Sequence, residues 1–185
     1  MIQNGVEDTL VLDAKRRLSS APELLQRHSL RMAALADALA DRENLNVDRA
    51  GLFCACVFHD LGLLVAGTAP FPVRSAGLLE AFLTERDVAA ARVHTLVTAV
   101  RRHLMPPVSL PTRGTPPAEV ALLRRVAWLD AVAVGDAEAR RWRRELRTAD
   151  ADPLLDLHLG AVLGMACAQD LASGARAVAA RVLAT

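Results

Sequence analysis

The sequence predicts an all-α protein, and three observations carry that prediction. Hydrophobic residues make up 52% of the 185-residue chain, yet aromatics make up only 3% and Tyr is absent. The core must therefore come from Ala, Leu and Val, which pack readily between helices. Almost no segment alternates apolar and polar residues with period two, so strands lack support. Apolar residues instead fall on one side of a helix at about 100° per residue. The length suits one domain with a sizeable core.

A first helix is expected over about 7–18 and a second over about 22–41, where "SSAPE" offers Ser caps and an early Pro. The third begins near Asp48 and runs to Asp60, with Gly62 placed to end it. "GTAPFP", Gly67 to Pro72, reads as a loop, followed by helices over about 73–83 and 86–104. "MPPVSLPTRGTPP", Met105 to Pro117, has five prolines and a glycine and is the longest irregular segment, placed to border a pocket. Helix resumes over about 118–134, and "GDAEARRWRREL" forms a charged surface helix. Asp152-Pro153 starts another helix to about 173, and a last one reaches the C-terminus.

Charge excludes some function classes. With 22 basic and 21 acidic residues the net charge is +1, which gives no electrostatic reason to expect nucleic acid or an anionic membrane as partner. The run "EARRWRREL" interleaves Glu138 and Glu145 with its arginines and reads as a solvated face or dimer contact, not a nucleic-acid patch around Trp142. No apolar run reaches the roughly 18 residues of a membrane span. The first 17 residues contain Glu7, Asp8, Asp13 and Lys15, unlike a signal peptide, so the expected location is cytoplasmic. Cys54, Cys56 and Cys167 form no CxxC pair and read as ordinary core cysteines in a reducing compartment.

Several polar residues fall on apolar faces. His28 lies near the centre of the arc formed by Leu24, Arg31, Leu35 and Leu39. Leu52, Cys56 and His59 share a face of the third helix, and Asp60 lies about 100° round from His59. Asp130 lies at the edge of the stripe Val120, Leu123, Ala127 and Val134. Buried carboxylates need compensation. One divalent ion held by His28, His59, Asp60 and Asp130 supplies it, since two positive charges match two carboxylates. Mixed imidazole and carboxylate donors suit Zn²⁺, Fe²⁺, Mn²⁺ or Co²⁺ better than Ca²⁺. A lone buried His is more often a hydrogen-bonded core residue, and it is the order and spacing of the set that single it out.

That order, His28, His59-Asp60 and Asp130, resembles the H…HD…D pattern of the HD-domain superfamily of helical metal-dependent enzymes. "HSLRMAALADALA", "CACVFHDLGL" and "RRVAWLDAVAV" are similar to its ligand helices, and "VTAVRRHL" to a segment that brings another His to the pocket. The resemblance covers about 22–134 and implies an HD helical bundle, with further helices over 136–185, and one divalent metal. Nucleotidases and guanosine-polyphosphate hydrolases of the superfamily carry acidic residues shortly after HD, where this chain has Leu61, Gly62, Leu63 and Leu64. Two-metal members need extra His ligands, but His94 and His103 are nine residues apart, about 180° on one helix, so one ion is favoured.

The remaining pattern is most similar to the cyanamide-hydratase-like branch, although members often have acidic residues and a Gly-Ala pair where this chain has "FPVRSAGLL". The resemblance implies a hydrolase or hydro-lyase that adds metal-activated water to a small molecule. A phosphoester phosphohydrolase is the alternative enzyme, and a non-catalytic binding or regulatory HD module the alternative of another class. His103 is the candidate for proton transfer, its other reading being a histidine that supports the ligands from behind or lies at the surface. Arg31 is placed to bind an anionic substrate group or to pair with a carboxylate. Arg74 can approach the pocket from the loop side. His94 and His158 read as structural or exposed, and Arg101 and Arg102 as solvating their helix. The expected partner is a small-molecule substrate, and a homo-oligomer remains open.

Overall fold

The run "LFCACVF" is too apolar to face water on any side, and it becomes the centre of the fold. The computed structural model of the chain describes residues 2–105 and 115–132, together with Ala137, Arg141 and Arg144 further on. The helices are α1 (Ile2–Leu18), α2 (Glu23–Arg42), α3 (Arg49–Phe58), α4 (Phe71–Thr84), α5 (Ala90–Arg102) and α6 (Ala118–Val132), with a 3₁₀ turn at Leu61–Leu64. Among the described residues there is no strand. The all-α class is therefore as expected.

Every residue of α3 from Ala50 to Phe58 is buried except Phe53, which is half-buried. It packs against α1, α2, α4, α5 and α6, while α2 and α5 each also pack on α6. Such all-round burial allows no amphipathic stripe, whereas α2 carries one: Leu25, His28, Met32, Leu35, Ala36 and Leu39 face inward. Cys54 and Cys56 are buried and free, and burial pushes the Cys54 thiol up to about 12. Cys56 is raised likewise, so both are inert core residues.

Helix ends follow local chemistry. The Asp48 side chain caps α3, accepting from the Gly51 amide at 2.9 Å, and also pairs with Arg92 of α5. At the end of α2, Asn44 has φ 49° and Leu45 N–H reaches back to the Ala40 carbonyl at 2.9 Å, a Schellman closure with Asn in the place usually taken by Gly. Asp87, φ 53°, closes α4 in the same way, with Val88 N–H on Leu83 O. Ser19 and Ser20 do not cap α2 as expected; their hydroxyls turn back to Arg16 O and Arg17 O and finish α1. Pro22 opens α2 without a side-chain cap.

Four boundaries differ from the sequence reading, and one is that the helix expected over about 86–104 runs only from Ala90 to Arg102. The first helix starts earlier, at Ile2. The expected loop 67–72 ends early because Phe71, fully buried, already belongs to α4, with Pro72 in its first turn, where a missing N–H does no harm. The third helix stops at Phe58, with His59 as its C-cap and Asp60 outside it. Of the segment over 105–117 the structure describes Met105 and residues 115–117, so a pocket border there lies outside the described residues. The helices expected after 152, with Cys167 and His158, also lie outside. In the charged run, Ala137, Arg141 and Arg144 are helical and exposed.

Candidate metal centre

The break after Phe58 is what builds the site. His59 is still helical, φ −56° and ψ −31°, but Asp60 takes φ −113° and ψ −1°, in the sparsely populated region where active-site residues recur. The chain then tightens into the 3₁₀ turn, with Leu63 N–H on Asp60 O at 2.9 Å. The geometry between the two side chains is thus set by a turn rather than by helical rotation.

The turn is latched to α4. Ser75 Oγ accepts from Gly62 N–H at 2.8 Å, and Arg74 Nε donates to Gly62 O at 3.0 Å. A Cβ on residue 62 would lie 2.3 Å from Phe71 O and 2.5 Å from Ser75 N, so only glycine lets α4 approach this closely. Arg74 also donates to the Gly67 and Ala69 carbonyls, so it organises the loop.

The structure gathers His28 from the second turn of α2, His59 and Asp60 from just past the end of α3, His103 from the end of α5, and Asp130 from α6. All five are buried, at 1–2% exposure. His28 Nε2 is 2.9 Å from His59 Nε2 and 3.5 Å from Asp60 Oδ2, and His59 Nε2 is 3.2 Å from Asp60 Oδ2. Among the described residues these three form a group whose ligand atoms all lie within 4.8 Å of one another. His103 Nε2 stands on the other side of the carboxylate, 3.4 Å from Asp60 Oδ1, with its ring edge-on to His59 at 5.0 Å between centroids.

Each imidazole is oriented from behind. His59 Nδ1 donates to Cys56 O at 2.7 Å and His103 Nδ1 to Val100 O at 2.6 Å, so each residue closes its own helix on the carbonyl three positions back. His28 Nδ1 lies 2.7 Å from Asp130 Oδ2. All three acceptors are oxygens, so Nδ1 carries the proton in each ring and Nε2 faces the shared space. This is the arrangement of metal-ligating histidines, whose remote N–H is held by a carbonyl or carboxylate.

Both oxygens of Asp60 and His103 Nε2 are buried without a hydrogen bond of good geometry. A buried carboxylate in that condition is costly unless a cation compensates it. The donor set therefore fits a divalent ion: imidazole nitrogens already directed inward, next to carboxylate oxygens that lack a hydrogen-bond partner.

The family comparison agrees with this geometry. A model of the HD domain matches residues 25–133, from α2 through α6. The chain belongs to the HD-domain family. No curated protein and no solved structure matches it. The family includes metal-dependent hydrolases, and in this HD domain the buried His28, His59 and Asp60 can hold a divalent metal.

The electrostatics of this HD site follow from burial and pairing. Burial alone would raise Asp60, but His59, His103 and His28 hold it well below the usual carboxylate range. Asp130 is likewise raised by burial and brought below its ordinary value by His28 and Arg31. Burial lowers His59, leaving its Nε2 lone pair available. For His28 burial acts downward, yet Asp130 and Asp60 overcome it and push the ring up to about 9. A proton and a divalent cation thus compete for His28 Nε2.

Other residues singled out in the sequence resolve as follows. Arg31 is buried on Asp130, through Nε to Oδ1 at 2.7 Å and Nη2 to Oδ2 at 2.8 Å. His94 is exposed on α5, as are Arg101 and Arg102. Sequence reasoning missed the Ser75–Gly62–Arg74 latch, for which hydrophobic periodicity gives no signal. It also missed the backbone carbonyls behind His59 and His103; a histidine at a helix C-terminus was the available clue. Two clefts of about 490 and 530 Å³, one walled by α1, α2 and α3 and one by α1, α4 and Phe58 of α3, are lined by none of the five site residues.

Proposed function

We propose that this HD-domain protein is a metal-dependent hydrolase or hydro-lyase that adds water to a small, nitrile-like molecule, as the cyanamide-hydratase-like branch does. One divalent ion, Zn²⁺, Fe²⁺, Mn²⁺ or Co²⁺, belongs in the centre that His28, His59, Asp60 and Asp130 surround. When bound, such an ion supplies Lewis acidity and lowers the pKa of a coordinated water from 15.7 toward about 7.

The observation that carries the reading is the pairing of inward-directed imidazoles with the unsatisfied Asp60 carboxylate and, beside it, the unsatisfied His103 Nε2. His59 and His28 hold the cation side of the site. His103, fixed at Nδ1 by Val100 O, has its free nitrogen on the far side of Asp60, where it can take a proton from water and return it to the product. Phe71, fully buried and 5.9 Å from the His103 ring, gives this side an apolar wall that limits competing water.

Charge and enclosure support a small substrate. With His28 neutral, as a metal ligand must be, the buried formal charges among the described residues are Arg31, Asp60 and Asp130, one net negative charge on the protein side. A divalent cation reverses that to one net positive charge, which favours electron-rich or anionic groups in its open position. The turn after Asp60 supplies no further carboxylate, because Leu61 and Gly62 are buried there and Leu63 and Leu64 follow. That favours water addition over the nucleotidase pattern, in which an acidic residue follows the pair.

The test is a substrate panel with metal-loaded protein: cyanamide and small nitriles assayed for urea or amide, beside nucleotides assayed for phosphate. Urea or amide formation that disappears in Asp60→Asn supports the reading. Phosphate release without hydration would replace it with the phosphohydrolase alternative. Tight ligand binding with no product from either set would make the chain a binding or regulatory module.

A further inference from the structure

Helices α1 and α4 both pack on α3 but scarcely on each other, and the gap between them is the cleft of about 530 Å³. That is the size of a small-molecule site, and it stands apart from the five residues of the metal centre. Its floor is apolar: Phe58, the last residue of α3, and Phe82 of α4 are buried with ring centroids 4.7 Å apart. Arg86, just past the end of α4, bridges the gap. Its guanidinium lies 3.8 Å over the Phe82 ring, Nε donates to Asp13 Oδ2 at 3.1 Å, and Nη1 donates to Phe82 O at 2.9 Å. Those donors are spent within the protein, so what Arg86 offers a ligand is the face of its guanidinium, on a side chain that is 31% exposed. Asp13 is satisfied too, by Arg86 and by Arg16 Nη1 at 3.2 Å. Arg17 differs: it lines the cleft, exposed, and among the described residues its side chain makes no hydrogen bond or ion pair. With Glu85 at the rim, three arginines meet two carboxylates, which leaves the lining with one net positive charge.

We propose that this cleft is a second ligand site, and that it takes a small aromatic carboxylate. The ring of the ligand stacks on Arg86, so that Phe82, the guanidinium and the ligand follow one another in a single stack. The carboxylate is received by Arg17, whose planar fork matches it and has no internal partner to give up. Both halves of the ligand are needed: a neutral ring forgoes Arg17, and a small inorganic anion leaves the apolar floor uncovered. The inference does not depend on the metal reading. It does place the second site against the metal centre, because Phe58 in its floor immediately precedes His59.

The probe is benzoate, titrated into the full nitrogen-15-labelled chain and followed by amide chemical shifts. Acetate supplies the charge alone and benzyl alcohol the ring alone. Benzoate is expected to bind with a Kd on the order of 1 mM and to shift amides of α1 and α4, and the other two to bind at least roughly tenfold more weakly. Arg17→Gln removes an exposed charge without stranding a partner, and Ala81→Glu sets a carboxylate into the cleft from an exposed position on α4. Each should weaken benzoate binding roughly 5–20-fold. Both change exposed side chains, so their circular dichroism should match wild type. Arg101→Gln, at an exposed arginine of α5 outside the cleft, should bind benzoate as wild type does. No saturable shift at millimolar benzoate overturns the proposal, and so does acetate binding as tightly as benzoate. Wild-type affinity in either cleft variant, or an equal loss in Arg101→Gln, would place the anion elsewhere and overturn it as well.

Discussion

Replacing Gly62 by Ala tests how the fold holds Asp60. The added Cβ would lie 2.3 Å from Phe71 O, 2.5 Å from Ser75 N and 2.6 Å from Ser75 Oγ. Two of these are backbone atoms in the first turns of α4, so no side-chain rotation relieves the clash. To reach ordinary contact near 3.4 Å, α4 and the turn must separate by about 1 Å. Overpacking of this kind costs about 1–3 kcal/mol. The Gly62 N–H to Ser75 Oγ and Arg74 Nε to Gly62 O bonds, 2.8 and 3.0 Å, are stretched by the same movement, at about 1 kcal/mol each if lost. The expected destabilisation is therefore about 2–4 kcal/mol, or roughly 5–15 °C in Tm for a chain of this size. Thermal and urea denaturation read it, with metal content measured in parallel because Asp60 rides on the same turn. Gly77→Ala is the control: a Cβ there meets nothing within 4 Å, and an exposed helical Gly→Ala change stabilises by about 0.5–1 kcal/mol. If both variants melted alike, or Gly62→Ala melted with wild type, the latch would not be what fixes Asp60.

Other outcomes follow from the same geometry. His103→Gln should leave metal content near wild type while turnover falls about 10²–10⁴-fold, the range of a lost acid–base group; equal loss of metal would make His103 a ligand instead. After chelation the stability should depend on pH in two directions. The His28 pKa rises from 6.5 unfolded to about 9 folded, so its contribution, at most ~3 kcal/mol, is fully present below pH 6.5 and is lost as pH rises through 9. Asp130 is lowered from 3.8, so its contribution is present above that value and disappears as the solution is acidified through the folded value. Urea midpoints of chelated protein between pH 2 and 10 check this, and a midpoint that rose from pH 6.5 to 9 would contradict the His28–Asp130 pairing. Leu35→Ala, at a fully buried position on the face of α2 that carries His28, should cost about 2–5 kcal/mol in urea denaturation; a loss under 1 kcal/mol would mean that this face is not packed as described.

Much of this was legible in the sequence. Periodicity placed α2 and α6 and turned His28 and Asp130 inward, because a helix that must bury one stripe shows it in its spacing. It could not place the end of α3, since "LGLL" continues the apolar run and hides a change from α-helix to 3₁₀ turn. The relation of His59 to Asp60 therefore could not be obtained from a helical angle. Pairing across helices was equally out of reach. Arg31 reads the same in sequence whether it meets substrate or Asp130, because the answer depends on how α2 and α6 are registered against each other. "PFPVRS" reads as loop followed by helix since its two prolines suggest a break, yet a proline in the first turn is compatible with helix and Phe71 is needed in the core.

The most direct test of the central claim is metal analysis of the purified chain, wild type beside His59→Ala and Asp60→Asn, after equilibration with Zn²⁺, Fe²⁺, Mn²⁺ or Co²⁺ and removal of excess ion. The wild-type chain is expected to hold one divalent ion tightly and both variants to lose it while their helical circular dichroism persists. A wild-type chain that retains no ion, or variants that retain it in full, would contradict the metal reading.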